Sequence, residues 1–415
     1  MISRRSFVQG AALAAISAKA RAQATPEVVV GLLFPLTGPS SQIGIDARHA
    51  VETAFDIVNS PHPDLDLPLA EEAGLPGLGG ARLRVIAADH QSSPQVARTE
   101  AERLVKHEKV CAIIGSYQSA IGASIAQVSE RLEVPYMASE NSSPSLTRRG
   151  LRYIFRPGPH DDMFSETMFD LLDDLRRKGG GVETLALFAE DTLFGTDSAN
   201  TQRRLAGERG YKIVADIRYR ANAPSLGDEL RQLKEADADV LLPSSYTQDG
   251  ILLVRGMVEI GYQPRAILAQ NSGFSDRTLY DAVGRDVVGC ITRASYSPEL
   301  AARRPDIGRV NALFRARSGK DLSDLSARQF TAAMVLADAV NRAQATDGPT
   351  IREALAASDI PGDQTIMPWT RIAFDETGQN RDADPVLLQW NGQGFATVFP
   401  ANAAVAQVQF PMRPA

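Results

Sequence analysis

The 415-residue chain holds only two cysteines and five histidines. Two cysteines cannot build a disulfide scaffold. Cys111 lies in Val110-Cys111-Ala112-Ile113-Ile114 and Cys290 in Val287-Val288-Gly289-Cys290-Ile291. Both settings read as buried strands with inert thiols. The histidines, at 49, 62, 90, 107 and 160, are scattered, and neither H-E-x-x-H nor C-x-x-C occurs, so no metal site is expected. There is no G-x-S-x-G elbow and no S-x-x-K, the marks of common serine nucleophiles. Gly319-Lys320 is followed by Asp321 and not by Ser or Thr, which excludes a phosphate loop. No G-x-G-x-x-G follows the first strand, so no dinucleotide or other cofactor is expected. Beyond the N-terminus no run approaches the ~20 apolar residues that span a bilayer. A chain without these signatures is read as a non-enzyme.

The N-terminus has the order of an export signal. Arg4 and Arg5 precede the run Ala11-Ala12-Leu13-Ala14-Ala15-Ile16, and Ala22-Gln23-Ala24 offers small residues for cleavage. The context Ser3-Arg4-Arg5-Ser6-Phe7 suits the twin-arginine route, with residues 1–24 removed after Ala24. Losing Arg4, Arg5, Lys19 and Arg21 takes the net charge from −6 to about −10. An acidic surface argues against nucleic acid, whose binding rests on Lys and Arg neutralising phosphates. The mature chain is expected to be periplasmic, monomeric and not membrane-spanning.

What remains is strand alternating with helix. Val28-Val29-Val30-Gly31-Leu32-Leu33 reads as a strand buried on both faces. Strands follow at residues 82–88, 110–114 and 134–138, with helices at 42–59, 94–107 and 121–132 between them. A second set starts with a helix over 161–178. It continues with strands at 184–188, 212–217, 239–242 and 266–269 and helices at 196–209, 225–235 and 248–260. Long and short helices follow at 326–345 and 350–356, then strands over 372–399. The fold class is α/β, as two doubly wound parallel-sheet lobes. The stretch 60–80, rich in Pro and Gly, reads as a passive surface excursion. His160-Asp161-Asp162 reads as an aspartate cap on the following helix and not as a metal site.

Ligands of α/β sheets sit at the carboxyl ends of strands. Two consecutive strand ends here are rich in hydroxyls and amides. One is Gly115-Ser116-Tyr117-Gln118-Ser119 and the other Ser139-Glu140-Asn141-Ser142-Ser143. Either alone reads as caps and turns; together they mark a site. From the second set, Phe194, Ser244-Ser245-Tyr246 and Gln270-Asn271-Ser272 take matching positions.

These residues resemble the leucine/isoleucine/valine-binding proteins, type I periplasmic solute-binding proteins of ABC importers. The marks run in order: Leu36-Thr37-Gly38-Pro39, Ile113-Ile114-Gly115 leading into Ser119, Pro135-Tyr136-Met137, Ser145-Leu146-Thr147 and Phe155-Arg156. Phe194-Gly195, Phe374-Asp375-Glu376-Thr377-Gly378 and Val398-Phe399-Pro400 complete them. The resemblance implies two lobes joined by three hinge crossings near 156–159, 293–298 and 358–364. The first lobe would take 25–157 and 294–360, the second 158–293 and 361–415. It implies a small-molecule ligand clamped between them and delivered to permease subunits. Ser119 and Ser142 would hold a carboxylate, and the backbone carbonyl of Glu140 an ammonium. Tyr246 and an acid matching Asn271 would close from the second lobe, with aromatic positions near Ile43 and Phe194 lining the cleft. Tyr117, Gln118 and Asn141 complete the candidate ligand-binding set. A cysteine pair of some relatives falls at Ser92 and Gln118, so that disulfide is absent. With Asn271 in the acid position, the expected ligand is a neutral amide or an amine-free organic acid, not a plain branched-chain amino acid. A sensor for a signalling partner is the nearest rival reading, and a hydrolase a more distant one.

Overall fold

The structure, a computed structural model, describes residues 26–270 and 272–412. The expected export signal and Asn271 lie outside the described residues. Among those described, no helix is long and apolar enough to cross a membrane.

The first lobe is built on β1 (Glu27–Phe34), α1 (Ser41–Asn59), β2 (Arg82–Asp89), α2 (Pro94–Lys106), β3 (Ala112–Gly115), α3 (Ser119–Leu132), β4 (Tyr136–Ala138) and β5 (Ile154–Phe155). The strands form a parallel sheet in the order β2-β1-β3-β4-β5. Alternate residues of β1 serve opposite faces. Val28, Val30, Leu32 and Phe34 join the core under α1, while Leu33 joins the core under α2 and α3.

The chain then enters the second lobe. It forms α4 (Asp161–Arg177), β6 (Thr184–Glu190), α5 (Leu193–Arg209), β7 (Lys212–Tyr219), α6 (Gly227–Ala236), β8 (Val240–Ser244), α7 (Thr247–Glu259), β9 (Ala266–Ala269), α8 (Arg277–Val283) and β10 (Ile291–Ala294). It returns to the first lobe as α9 (Leu300–Arg303), α10 (Pro305–Ser318), α11 (Asp324–Ala343), α12 (Gly348–Ala356), β11 (Asp359–Pro361) and β12 (Arg371–Ala373). Finally β13 (Val386–Trp390) and β14 (Phe395–Phe399) complete the second sheet, in the order β14-β13-β10-β9-β8-β6-β7. This sheet is parallel except at β13 and β14, which run antiparallel.

Three expectations need correction. The return to the second lobe was expected near 358–364, but Ile366, Met367, Trp369, Ile372, Phe374 and Ala383 pack in the first lobe's core. The β11–β12 ribbon keeps the chain there, and Phe374 meets Phe155 edge-on with ring centroids 5.2 Å apart. The crossing falls between Ala383 and Val386. The 60–80 excursion is not passive either. Leu65, Leu67, Ala70 and Leu75 are buried in the same core, and the Gly77 N–H donates to Asn341 Oδ1 on α11 at 2.8 Å. At the start of α4 the cap is His160 and not an aspartate. Its Nδ1 accepts from the Asp162 N–H at 3.2 Å, and burial drives the imidazole pKa down to about 3.

Candidate functional site

The two hydroxyl-rich strand ends of the first lobe are stitched together by one amide. Asn141 Oδ1 accepts from the Ser116 N–H (3.2 Å) and the Tyr136 hydroxyl (2.5 Å). Its Nδ2 donates to Ser116 Oγ (3.3 Å) and to the carbonyls of Tyr117 (3.2 Å) and Gln118 (2.9 Å). A Cβ on Gly122 would stand 2.5 Å from Asn141 Oδ1, so the first turn of α3 must be bare there. Asn141 therefore spends its side chain on shaping the site. Arg156 completes the frame. Its Nη1 donates to the carbonyls of Asn141 (3.2 Å) and Ser143 (2.7 Å), Nη2 to Thr147 Oγ1 (3.1 Å) and Nε to Gln379 Oε1 (2.5 Å). Burial lowers this guanidinium to about 10.

Behind these loops the lobes meet through buried charges. Arg328, on α11, pairs with Asp324 one turn earlier and with Glu140 at 2.9 Å. Gln329 Nε2 donates to Glu140 at 3.3 Å. Burial pushes the Glu140 carboxyl up to about 8, against the pull of Arg328. From the second lobe Arg293 donates through Nη2 to Ser142 Oγ at 3.3 Å and through Nε to the Gln270 carbonyl at 2.9 Å, with its guanidinium 3.8 Å from the centroid of Phe164. The Asp161 N–H donates to the Ser142 carbonyl at 2.8 Å, and its carboxylate accepts from Ser198 (2.9 Å) and Gln270 (3.2 Å). Burial raises the Asp161 pKa, with Arg293 opposing. Arg293 Nη1 is buried without a partner. Three carboxyl groups thus face two guanidiniums, and the nearby Asp324 joins burial in raising the Glu140 carboxyl.

Toward the mouth of the cleft, the contact is aromatic. The Tyr246 ring lies 5.0 Å from Tyr117 and 5.4 Å from Phe194, centroid to centroid. Ser119 Oγ accepts from the Ser143 N–H at 3.4 Å. Gln118 Nε2 donates to Ser92 Oγ at 2.9 Å, so the two positions named for a disulfide in relatives touch through a hydrogen bond. Beside the aromatics a cavity of about 220 Å³ opens between the lobes. Ser40, Ser92 and Gln118 line it from the first lobe, and Glu190, Asn222 and Asp249 from the second. Glu190 is fully buried. Its Oε2 accepts from the Tyr246 N–H (3.2 Å) and its Oε1 from Thr192 (2.9 Å), and burial pushes its carboxyl up to about 8.

Of the expected residues, Tyr117, Gln118, Ser119, Phe194 and Tyr246 converge at the aromatic contact. Ser142 and the Glu140 side chain face the buried charges behind it. Ile43 packs in the first-lobe core. Sequence reasoning passed over Arg293 and Arg328. The signal for Arg328 was its spacing of four from Asp324 on α11, a helix buried nearly all round. Among the described residues no group of three or more His, Cys, Asp or Glu could hold a metal ion.

Comparison with known proteins agrees with this architecture. The profile of a family described as periplasmic binding protein matches residues 27–394. Leu/Ile/Val-binding protein homolog 7 of Brucella abortus (strain 2308) is 28% identical over 410 residues, covering 96% of this chain and 98% of that one. Homolog 8 of Brucella suis biovar 1 is 29% identical over 403 residues, covering 95% and 96%. Among solved structures, a leucine binding protein LivK from Thermotoga maritima superposes with a TM-score of 0.75 at 22% identity, over 90% of this chain and 99% of that one. A solute binding protein of an ABC transporter from Rhodopseudomonas palustris BisB5, in complex with 3,4-dihydroxy benzoic acid, gives 0.70 at 16% identity, over 91% and 94%.

Proposed function

The chain belongs to the periplasmic binding protein family, and from that premise we propose that it is the exported receptor of an ABC importer, one that captures a small organic solute between its lobes and presents the closed form to permease subunits. The observation that carries this is the meeting of strand ends. Tyr117 and Ser119 from the first lobe face Tyr246 and Phe194 from the second, beside a cavity walled by both. Such a site is complete only when the lobes are together, so ligand binding and closure are one event. Aromatic walls supply apolar area with polar tips. The helix start at Ser119 supplies N–H groups for a ligand oxygen.

The solved neighbours named above are leucine- and dihydroxybenzoate-binding proteins, so the fold alone does not choose the solute. A thermal-shift screen over amino acids, amides, amines and organic acids tests the reading. A solute at 100 times its dissociation constant stabilises by about 2.7 kcal/mol. In calorimetry Ser119→Ala should then weaken binding roughly ten- to hundred-fold, the worth of a hydrogen bond to a charged group. Absence of any binding solute, or unchanged affinity in Ser119→Ala, would contradict the proposal. Export is checked by sequencing the periplasmic form, which should begin at Thr25.

A further inference from the structure

Two side chains of α5 reach across the cleft to the other lobe. Leu193 opens the helix and packs against the first-lobe core that holds Ile121, Ile125 and Leu146. Asp197 lies four residues on, so it shares a face with Leu193, and it accepts from the Ser143 hydroxyl of the first lobe. Both halves of this contact are firmly mounted. On the second lobe, Thr192 Oγ1 caps α5 by accepting from the Gly195 N–H at 3.2 Å. A Cβ on Gly195 would stand 2.1 Å from the Glu190 carbonyl oxygen, so α5 starts flush against the end of β6. On the first lobe, the Ser143 carbonyl accepts from Arg156 at 2.7 Å, its N–H donates to Ser119 Oγ at 3.4 Å, and its hydroxyl lies 2.9 Å from Ser145 Oγ. The pair Arg148–Asp162 also joins the lobes, but Arg148 is exposed to solvent, where an ion pair contributes little.

These contacts join protein to protein, so they form whenever the lobes meet, with or without a solute. Neither Leu193 nor Asp197 takes part in the aromatic contact of Tyr117, Phe194 and Tyr246, and neither lines the cavity beside it. We propose that the start of α5 is a built-in latch: through Leu193 and Asp197 the protein itself stabilises the closed form, which is populated before a solute arrives and which the solute then selects. This rests on the reading of the chain as a cleft receptor and gives that receptor its resting balance. A solute that binds the closed form has an apparent dissociation constant equal to its intrinsic one divided by the closed fraction. Leu193 and Asp197 therefore tune affinity without touching the solute.

The test needs no solute. Spin labels are placed on the Ile45→Cys, Val258→Cys protein, one on each lobe, after unfolding and refolding to strip any bound solute. Pulsed electron spin resonance should then give two distance components, the shorter at the separation that the contacts above impose. Leu193→Ala and Asp197→Ala should each lower the short component relative to the long one roughly three- to tenfold, the worth of a partly buried leucine or of a hydrogen bond to a charge. Leu193→Met, which conserves volume, should keep it. Circular dichroism checks that the variants fold. A single long component in the otherwise unchanged protein, or a short component whose weight neither alanine substitution alters, overturns the proposal. For any solute found in the thermal-shift screen, Leu193→Ala should weaken binding by the factor by which it lowers the closed fraction, and unchanged affinity also overturns it. The two readings fail separately. A latch seen in a protein that binds no solute stands while the receptor falls. A solute that draws a wholly open protein shut leaves the receptor standing and removes the latch.

Discussion

Glu190 and Asn141 show two ways in which a polar side chain is tolerated inside this protein. Asn141 satisfies its amide completely and so fixes the loops that carry Tyr117 and Ser119. Glu190 keeps hydrogen bonds but no counter-charge, and its carboxyl is pushed by burial from 4.5 to about 8. An acid whose pKa is raised on folding binds a proton that the unfolded chain releases above ~4.5. Its contribution to stability is full below that value, declines as pH rises toward 8, and is flat beyond. Glu190→Gln has no such proton to lose. The stability of the wild type relative to Glu190→Gln should therefore fall between pH 5 and 8, by at most about 1.4 kcal/mol per unit. Urea denaturation at stepped pH measures it, and a constant difference would show that Glu190 is ionised in the folded protein. At this scale the sequence was partly legible. Tyr117, Ser119 and Tyr246 were marked by their place after strands, a local signal. Arg293, Arg328 and Asp161 were not, because their meaning comes from pairing across stretches distant in sequence.

Elements were more legible than residues, since each rests on its own hydrophobic period. The largely buried β1 and the fully buried β3 and β8 stood out as apolar runs, and helices such as α2 and α4 as amphipathic faces. α10 was missed because only Ile307, Val310 and Phe314 are buried among its arginines, although Pro305 at its start and Gly319 after its end flank it. The 60–80 stretch was misread for the opposite reason. Its prolines and glycines hid four apolar residues spaced irregularly, with no helical or strand period. The structure makes that stretch part of the first lobe's core, as a cover on α1 and α11. Leu75 is completely buried there. Leu75→Ala should cost about 2–5 kcal/mol, the range for buried large-to-small changes. A passive loop would lose nearly nothing, and thermal or urea unfolding tells the two apart.

For the whole molecule, the decisive feature is that two separately cored lobes meet around the cleft. Ser142 meets Arg293, Ser143 meets Asp197, Arg148 meets Asp162, and Tyr117 meets Tyr246. These contacts connect two separately cored bodies through narrow crossings. Under the proposed function, such an architecture would convert the binding of one small solute into a change of shape that a membrane partner reads. The required energy is modest, because a solute shifts the open–closed balance only by its preference for the closed form. The inter-lobe distance is the quantity that tests this most directly. Ile45 on α1 is 37% exposed and Val258 on α7 is 52% exposed. The native cysteines, Cys111 and Cys290, are buried with thiols pushed up to about 12, so spin labels will go to cysteines introduced at 45 and 258. Pulsed electron spin resonance on the Ile45→Cys, Val258→Cys protein should show a distance distribution that shortens and narrows at saturating solute. A distribution that stays the same when solute is bound would contradict capture by lobe closure.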